Sequence, residues 1–82
     1  MFRLGDYVRI TALLKNNFYV QDSRNRRRPK IGDIAQITKI YDTHSLGLRL
    51  TCKDFRGDMI WQLNFPEDAI ELQVYENNEH RP

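Results

Sequence analysis

The segment Ile31–Tyr41 constrains the fold of this chain more than any other, because a Gly-Asp turn there leads directly into a short apolar run. Isoleucine recurs at every third position, at Ile34, Ile37 and Ile40. This spacing fits either a helical stripe or a β-strand that carries a bulge. The run is only about ten residues long and rich in β-branched side chains, which favours the strand. Because Gly5-Asp6 opens another strand-like segment in the same way, we expect a small barrel of short strands.

The N-terminal segment Phe2–Thr11 shows the alternation of a half-buried strand. Val8 and Ile10 occupy one face, and polar or amphipathic residues occupy the other. Apolar residues continue from 13 to 20 around a polar Lys-Asn-Asn stretch, in which asparagine favours a turn. We expect this region to be extended, with one short helix as the alternative.

The strictest two-residue period in the chain lies in its centre, on the face formed by Leu46, Leu48, Leu50 and Cys52. The sequence predicts a strand there, followed by a turn at 55–58 in which Gly57 can adopt a positive φ angle. After that turn, two inward-facing sets are possible for the next strand. The set Met59, Trp61 and Leu63 is more apolar than the set Ile60 and Gln62, so we expect the first to face the core.

A helix start follows at Asn64-Phe65-Pro66. Asn64 can cap it, Pro66 suits an early helical position, and the next two acidic residues favour the positive end of a helix dipole. Apolar residues resume almost at once, so only a single 3₁₀ turn fits before a last strand at Ile70–Val74. The sequence predicts one domain over residues 1–76 and a frayed polar tail over 77–82.

Composition narrows the class of protein. At 82 residues the chain forms one domain with a small core, burying roughly 60% of its surface. No apolar run is long enough to span a membrane, and early charges at Arg3, Asp6 and Arg9 argue against a removable signal. We therefore expect a cytoplasmic protein. The single cysteine, Cys52, allows no internal disulfide and no cysteine-rich zinc site.

Positive charge is concentrated in RNRRRPK, residues 24–30, which holds five of the thirteen basic residues. The remaining eight basic residues face eleven acidic ones. Because five like charges repel one another, we expect a mobile surface loop. Guanidinium groups bind phosphate and carboxylate through forked hydrogen bonds, so a binding site is as good an interpretation as a merely solvated loop. The residues predicted to contact a partner are Arg24, Arg26, Arg27, Arg28, Lys30, Tyr19 and Trp61.

Trp61 belongs to that set only if its ring is exposed beside Tyr7 or Phe55, since exposed aromatic patches mark binding surfaces. As the single tryptophan of a small barrel, it suits the core or the rim equally well. Tyr19, with Phe18 and Tyr41, would supply stacking surface for nucleic-acid bases if these rings are exposed.

The order of these segments resembles a known group of proteins. The residues that carry the resemblance are Val8-Arg9-Ile10, then Ile34, Ala35, Ile37 and Ile40, and then Asn64-Phe65 shortly before Ile70-Glu71-Leu72. They are similar to the SH3-like small β-barrels of bacteria and plastids. Examples are a small barrel component of photosystem I, the variable chain of ferredoxin:thioredoxin reductase and uncharacterised bacterial barrels of this length, with KOW modules more distant. The resemblance implies an all-β, five-stranded SH3-like barrel with one 3₁₀ turn before the last strand, and a non-enzymatic docking role.

Catalytic and metal chemistry find no suitable set of residues. Cys52 continues an apolar face and is expected to be a buried, inert thiol. His44 lies in a turn, and together with Cys52 it offers two metal ligands where three or four are needed. The carboxylates lie on turns and caps, where they have structural roles. We expect no enzyme activity, no cofactor and no metal, although the copies in an oligomer could still assemble a site between them.

Two functions use the basic loop. The first is an interaction module that docks on a protein partner with an acidic surface. The second is a KOW-type nucleic-acid-binding protein. The acidic C-terminal third, which holds seven acids between Asp54 and Glu79, could also receive the basic loop of a second copy. Homo-oligomer formation is therefore a further alternative.

Overall fold

The computed structural model describes residues 2–15, 23–43 and 45–76. Tyr19, His44 and the predicted tail at 77–82 lie outside the described residues. The strands are β1 (Tyr7–Leu13), β2 (Ile34–Ile40), β3 (Leu48–Lys53), β4 (Met59–Phe65) and β5 (Ile70–Val74), with a 3₁₀ turn at Glu67–Ala69. Over these ranges, no helix combines the length and the apolar character needed to cross a membrane.

The five strands form one antiparallel sheet in the order β4-β3-β2-β1-β5. Strand β1 is central to the connection, because Val8 pairs with Ala35 of β2 and with Val74 of β5. The all-β class, the five strands and the 3₁₀ turn before the last strand are confirmed. In the described sheet β4 and β5 are the two edge strands, so backbone pairing does not close it into a barrel.

The predicted bulge in β2 is confirmed. Ile37 pairs with Leu50 and Lys39 pairs with Arg49, so Thr38 is an extra residue opposite β3. The isoleucine spacing nevertheless did not identify the core positions. Ala35 and Ile37 are buried, whereas Ile34 and Ile40 are exposed. Strand alternation up to the bulge, rather than the three-residue period, selects the inward side chains.

The core lies on one face of the sheet and is centred on two aromatic side chains. The Trp61 and Phe65 rings meet edge to face, with centroids 5.8 Å apart and planes at 74°. The predicted inward residues Val8, Ile10, Leu50, Cys52, Trp61 and Leu63 are all buried. Leu46 is exposed instead, because β3 begins only at Leu48.

The turn before β3 requires glycine. Gly47 has φ +62°, and a Cβ at this position would overlap the carbonyl oxygen of Phe65. The predicted cap at Asn64 is wrong, because β4 continues through Phe65 and the 3₁₀ turn has no side-chain cap. The Asn64 side chain instead accepts a hydrogen bond from the Tyr41 hydroxyl at 3.2 Å. The last strand, Ile70–Val74, has its predicted bounds.

Candidate functional site

The basic loop, residues 24–30, lies against β4. The backbone N–H of Arg26 donates to the carbonyl oxygen of Ile60 at 2.7 Å. The N–H of Gln62 donates to Oδ1 of Asn25 at 3.0 Å. These bonds occupy polar groups of an edge strand that would otherwise be open to pairing with another chain. The prediction of a mobile loop misses them, because 37 residues separate Asn25 from Gln62.

Arg27 does not extend into solvent but holds the buried carboxylate of Asp33. Its guanidinium donates two hydrogen bonds, from Nη1 to Oδ2 at 2.9 Å and from Nη2 to Oδ1 at 2.8 Å. Oδ2 also accepts the Trp61 indole N–H at 2.9 Å and the backbone N–H of Lys30 at 3.0 Å. Asp33 is only 7% exposed. A buried carboxylate needs such pairing, so this cluster fixes the loop to the core.

The electrostatics of this cluster favour the charged pair. Burial alone would raise the pKa of Asp33, but the hydrogen bonds from Arg27, Lys30 and Trp61 outweigh it and hold that pKa below its ordinary value. The hydrogen bond to Asp33 raises the pKa of Arg27. Both groups are therefore ionised at neutral pH.

A second ion pair joins the basic loop to the β3–β4 turn. Nη2 of Arg26 lies 2.9 Å from Oδ2 of Asp54. The other oxygen of Asp54 accepts the backbone N–H groups of Arg56 and Asp58 at 2.9 and 3.0 Å. The backbone hydrogen bond from Asp58 and the bond from Arg26 lower the pKa of Asp54. The Asp54 carboxylate therefore organises its own turn and fastens the loop beside it.

The predicted binding residues thus separate into three groups. Arg26 and Arg27 bind the protein's own carboxylates, while Arg24, Arg28 and Lys30 are exposed on the loop surface. Trp61 is 0% exposed, so including it among partner contacts is corrected: its ring belongs to the core and its N–H positions Asp33.

A groove that the predicted site did not include lies next to this loop, on the sheet face opposite the core. This outer groove has a volume of about 340 Å³. Its main lining residues are Tyr7, Ile34, Gln36, Thr51, Lys53 and Phe55. The alternation of β1 already assigns Tyr7 to the outer face, but no sequence pattern indicates that Phe55 would be 94% exposed.

The floor of the outer groove is polar. The Thr51 hydroxyl accepts a hydrogen bond from Nε2 of Gln62 at 2.7 Å and lies 3.0 Å from the Thr38 hydroxyl. Nε2 of Gln36 donates to the carbonyl oxygen of Gly5 at 3.2 Å. These cross-strand bonds hold the floor in one arrangement.

A second cavity, of about 290 Å³, lies between the β2–β3 turn and β5. Its lining is largely apolar and includes Phe2, Ile40, Leu48 and Leu72. Glu67 is the one ionisable carboxylate among its lining residues. This cavity has no cation of the basic loop in its lining.

Residues with catalytic or metal-binding chemistry do not converge in the described ranges. Burial raises the pKa of the Cys52 thiol, and the nearby charge of Asp33 adds to this effect, so the reactive thiolate is disfavoured. Among the residues that the structure describes, no three His, Cys, Asp or Glu side chains are grouped to hold a metal ion.

No family model, curated protein or solved structure matches this chain. The case for a function therefore rests on the geometry of the loop and the groove.

Proposed function

We propose that this protein is a non-catalytic interaction module, an SH3-like barrel that docks on a protein partner with an acidic surface through its basic loop. The fold part of the proposal is supported by the strand order, the long loop between β1 and β2, and the 3₁₀ turn before β5. A closed barrel would also protect the edges of a sheet this small.

The observation that carries the functional part is the anchoring of the basic loop. Two of its arginines bind Asp33 and Asp54, and Asn25 bonds the edge of β4. Arg24, Arg28 and Lys30 are therefore exposed from a backbone that is already held in place. A preorganised loop loses less conformational entropy on binding than a disordered one. Its charges would orient an acidic partner and speed its association.

The test replaces only the exposed cations of the loop. The triple variant Arg24→Ser, Arg28→Ser and Lys30→Ser keeps both ion pairs that anchor the loop. The matched control replaces three exposed cations elsewhere: Arg3→Ser, Lys39→Ser and Arg56→Ser. Both tagged variants and the wild type are expressed in cells that contain the protein, purified by affinity and compared by quantitative mass spectrometry.

We expect the loop variant to lose acidic protein partners that the wild type and the control variant retain. Retention should fall as salt rises, because contacts between exposed charges are screened over about 10 Å at 0.1 M ionic strength. Unchanged recovery of every partner by the loop variant would refute the proposal. Size-exclusion chromatography with light scattering on the same samples tests whether the partner is a second copy.

A KOW-type nucleic-acid binder is the second candidate, favoured by one specific observation. The Phe55 ring is 94% exposed, the Arg56 guanidinium lies 5.7 Å from its centroid, and Lys53 lines the neighbouring groove. An exposed ring beside cations suits base stacking and phosphate contact. A mobility shift with single-stranded and double-stranded probes at about 50 mM salt should then disappear steeply as salt rises. No shift at that salt concentration would remove this candidate.

A further inference from the structure

We propose that the outer groove is a second contact region for the same partner, and that it takes a large apolar side chain from an extended acidic peptide segment. This inference rests on the proposed function, since the basic loop would hold the acidic residues that flank that side chain. It adds the chemistry of the occupant and a recognition site outside the loop.

The apolar part of the argument comes from side chains that the fold leaves uncovered. Tyr7 is 53% exposed and Phe55 is 94% exposed, and Ile34, which lines the same groove, is also exposed. Exposed large apolar side chains that line one concave site mark interaction surfaces. The groove volume of about 340 Å³ suits a bulky side chain with its adjoining backbone.

The charge around the groove selects an acidic occupant. Lys53 lines it directly, and Arg56 lies beside the Phe55 ring. Asp54 is engaged by Arg26 and by two backbone N–H groups, while Asp58 is exposed at the end of the turn. Three cations thus face two carboxylates at this site. The Arg26–Asp54 pair also brings the basic loop to the same side, which increases the positive charge.

The polar floor favours a peptide over nucleic acid. Thr51, Gln36 and Gln62 present hydroxyl and amide groups, which can donate to and accept from a peptide backbone. A groove for single-stranded nucleic acid would instead need cations that follow the phosphates along its length. Here Lys53 is the one cationic side chain among the residues that line the groove.

The experiment selects peptides without assuming a sequence. A displayed library of random 12-residue peptides is selected against the whole wild-type chain, and the enriched peptides are synthesised with a fluorescent label. Their affinities are measured by anisotropy for the wild type, Phe55→Ser, the matched control Leu46→Ser and the triple loop variant. Leu46 is an exposed apolar residue of another turn, and the substitutions at both exposed sites should leave the thermal midpoint unchanged.

We expect enriched peptides that carry acidic residues around an aromatic or large aliphatic residue. Phe55→Ser should weaken their binding about tenfold, and Leu46→Ser should not. In two-dimensional amide NMR spectra, the peptide should shift signals of Thr51 and Gln36. A peptide in which the apolar residue is replaced by serine should bind about as weakly to the wild type as the parent peptide binds to Phe55→Ser.

Three outcomes would overturn the inference. Binding that survives Phe55→Ser but fails in the loop variant would remove the groove and leave the proposed function intact. Tighter binding of a 12-nucleotide oligothymidylate than of any selected peptide would assign the groove to nucleic acid. No enrichment of acidic peptides would also overturn it, while the partner purification with the loop variant decides the proposed function independently.

Discussion

Replacing Arg27 with methionine removes the guanidinium from a buried carboxylate and nearly preserves the length of the side chain. Hydrogen bonds to a charged group contribute about 1.5–3 kcal/mol, and breaking a buried ion pair costs about 3–5 kcal/mol. The Arg27 side chain is 36% exposed, so water partly replaces its bonds. Asp33 also keeps the N–H donors of Lys30 and Trp61. We therefore expect Arg27→Met to lower the free energy of unfolding by about 2 kcal/mol at pH 7.

This loss should depend on pH with a definite sign. In the folded protein the pKa of Asp33 lies below its ordinary value. Its ionisation therefore stabilises the fold above the unfolded-state pKa of about 3.9, and this contribution disappears as pH falls through the folded-state pKa. Without Arg27, burial acts against the carboxylate with less opposition, so the folded-state pKa of Asp33 rises. The difference between wild type and Arg27→Met should shrink as pH falls below about 4.

Urea denaturation followed by the fluorescence of Trp61, the single tryptophan, measures this difference directly. Arg26→Met is the matched control, since its pair with Asp54 lies at the surface and its removal should cost less. The double variant with Asp33→Asn should show strong non-additivity. A loss below about 0.5 kcal/mol for Arg27→Met, as for an ordinary surface ion pair, would refute the argument that this arginine supports the core.

Two further substitutions test the remaining structural claims. Gly47→Ala should destabilise the fold by about 1–3 kcal/mol, because φ is positive and the added Cβ meets the Phe65 carbonyl oxygen; a thermal midpoint equal to that of the wild type would contradict this. Trp61→Phe should cost about 2–4 kcal/mol, since it removes a hydrogen bond to the charged Asp33 and leaves a cavity. Circular dichroism in urea measures that loss, and a change below about 0.5 kcal/mol would count against the buried cluster.

Much of the fold is readable from local pattern. Two-residue alternation identifies β1, β3 and β4, because a strand buried on one face must alternate apolar and polar side chains. The short interval between Pro66 and Ile70 leaves room for one 3₁₀ turn, and that turn is present. The bulge in β2 is also predictable, since strict alternation fails there. The inward residues of β2 are not, because its isoleucines follow a three-residue spacing that the bulge and strand ends do not translate into burial.

The roles of the arginines could not be assigned in the same way. Within residues 24–30 every guanidinium has similar neighbours, so local composition indicates only a charged surface segment. Arg27 differs from Arg28 because its side chain reaches the Asp33 carboxylate, which also accepts the Trp61 N–H from 28 residues further along the chain. Nothing in a window of a few residues contains that information.

The exposure of Phe55 has the same origin. Its neighbours predict a turn, but whether an aromatic ring at a turn tip is covered depends on what the rest of the chain packs over it. Local alternation and turn chemistry were sufficient for the strands, since each strand's burial pattern is written in adjacent residues. The anchored loop and the outer groove needed the folded chain, because a buried charge and an uncovered ring are defined by contacts between residues distant in sequence.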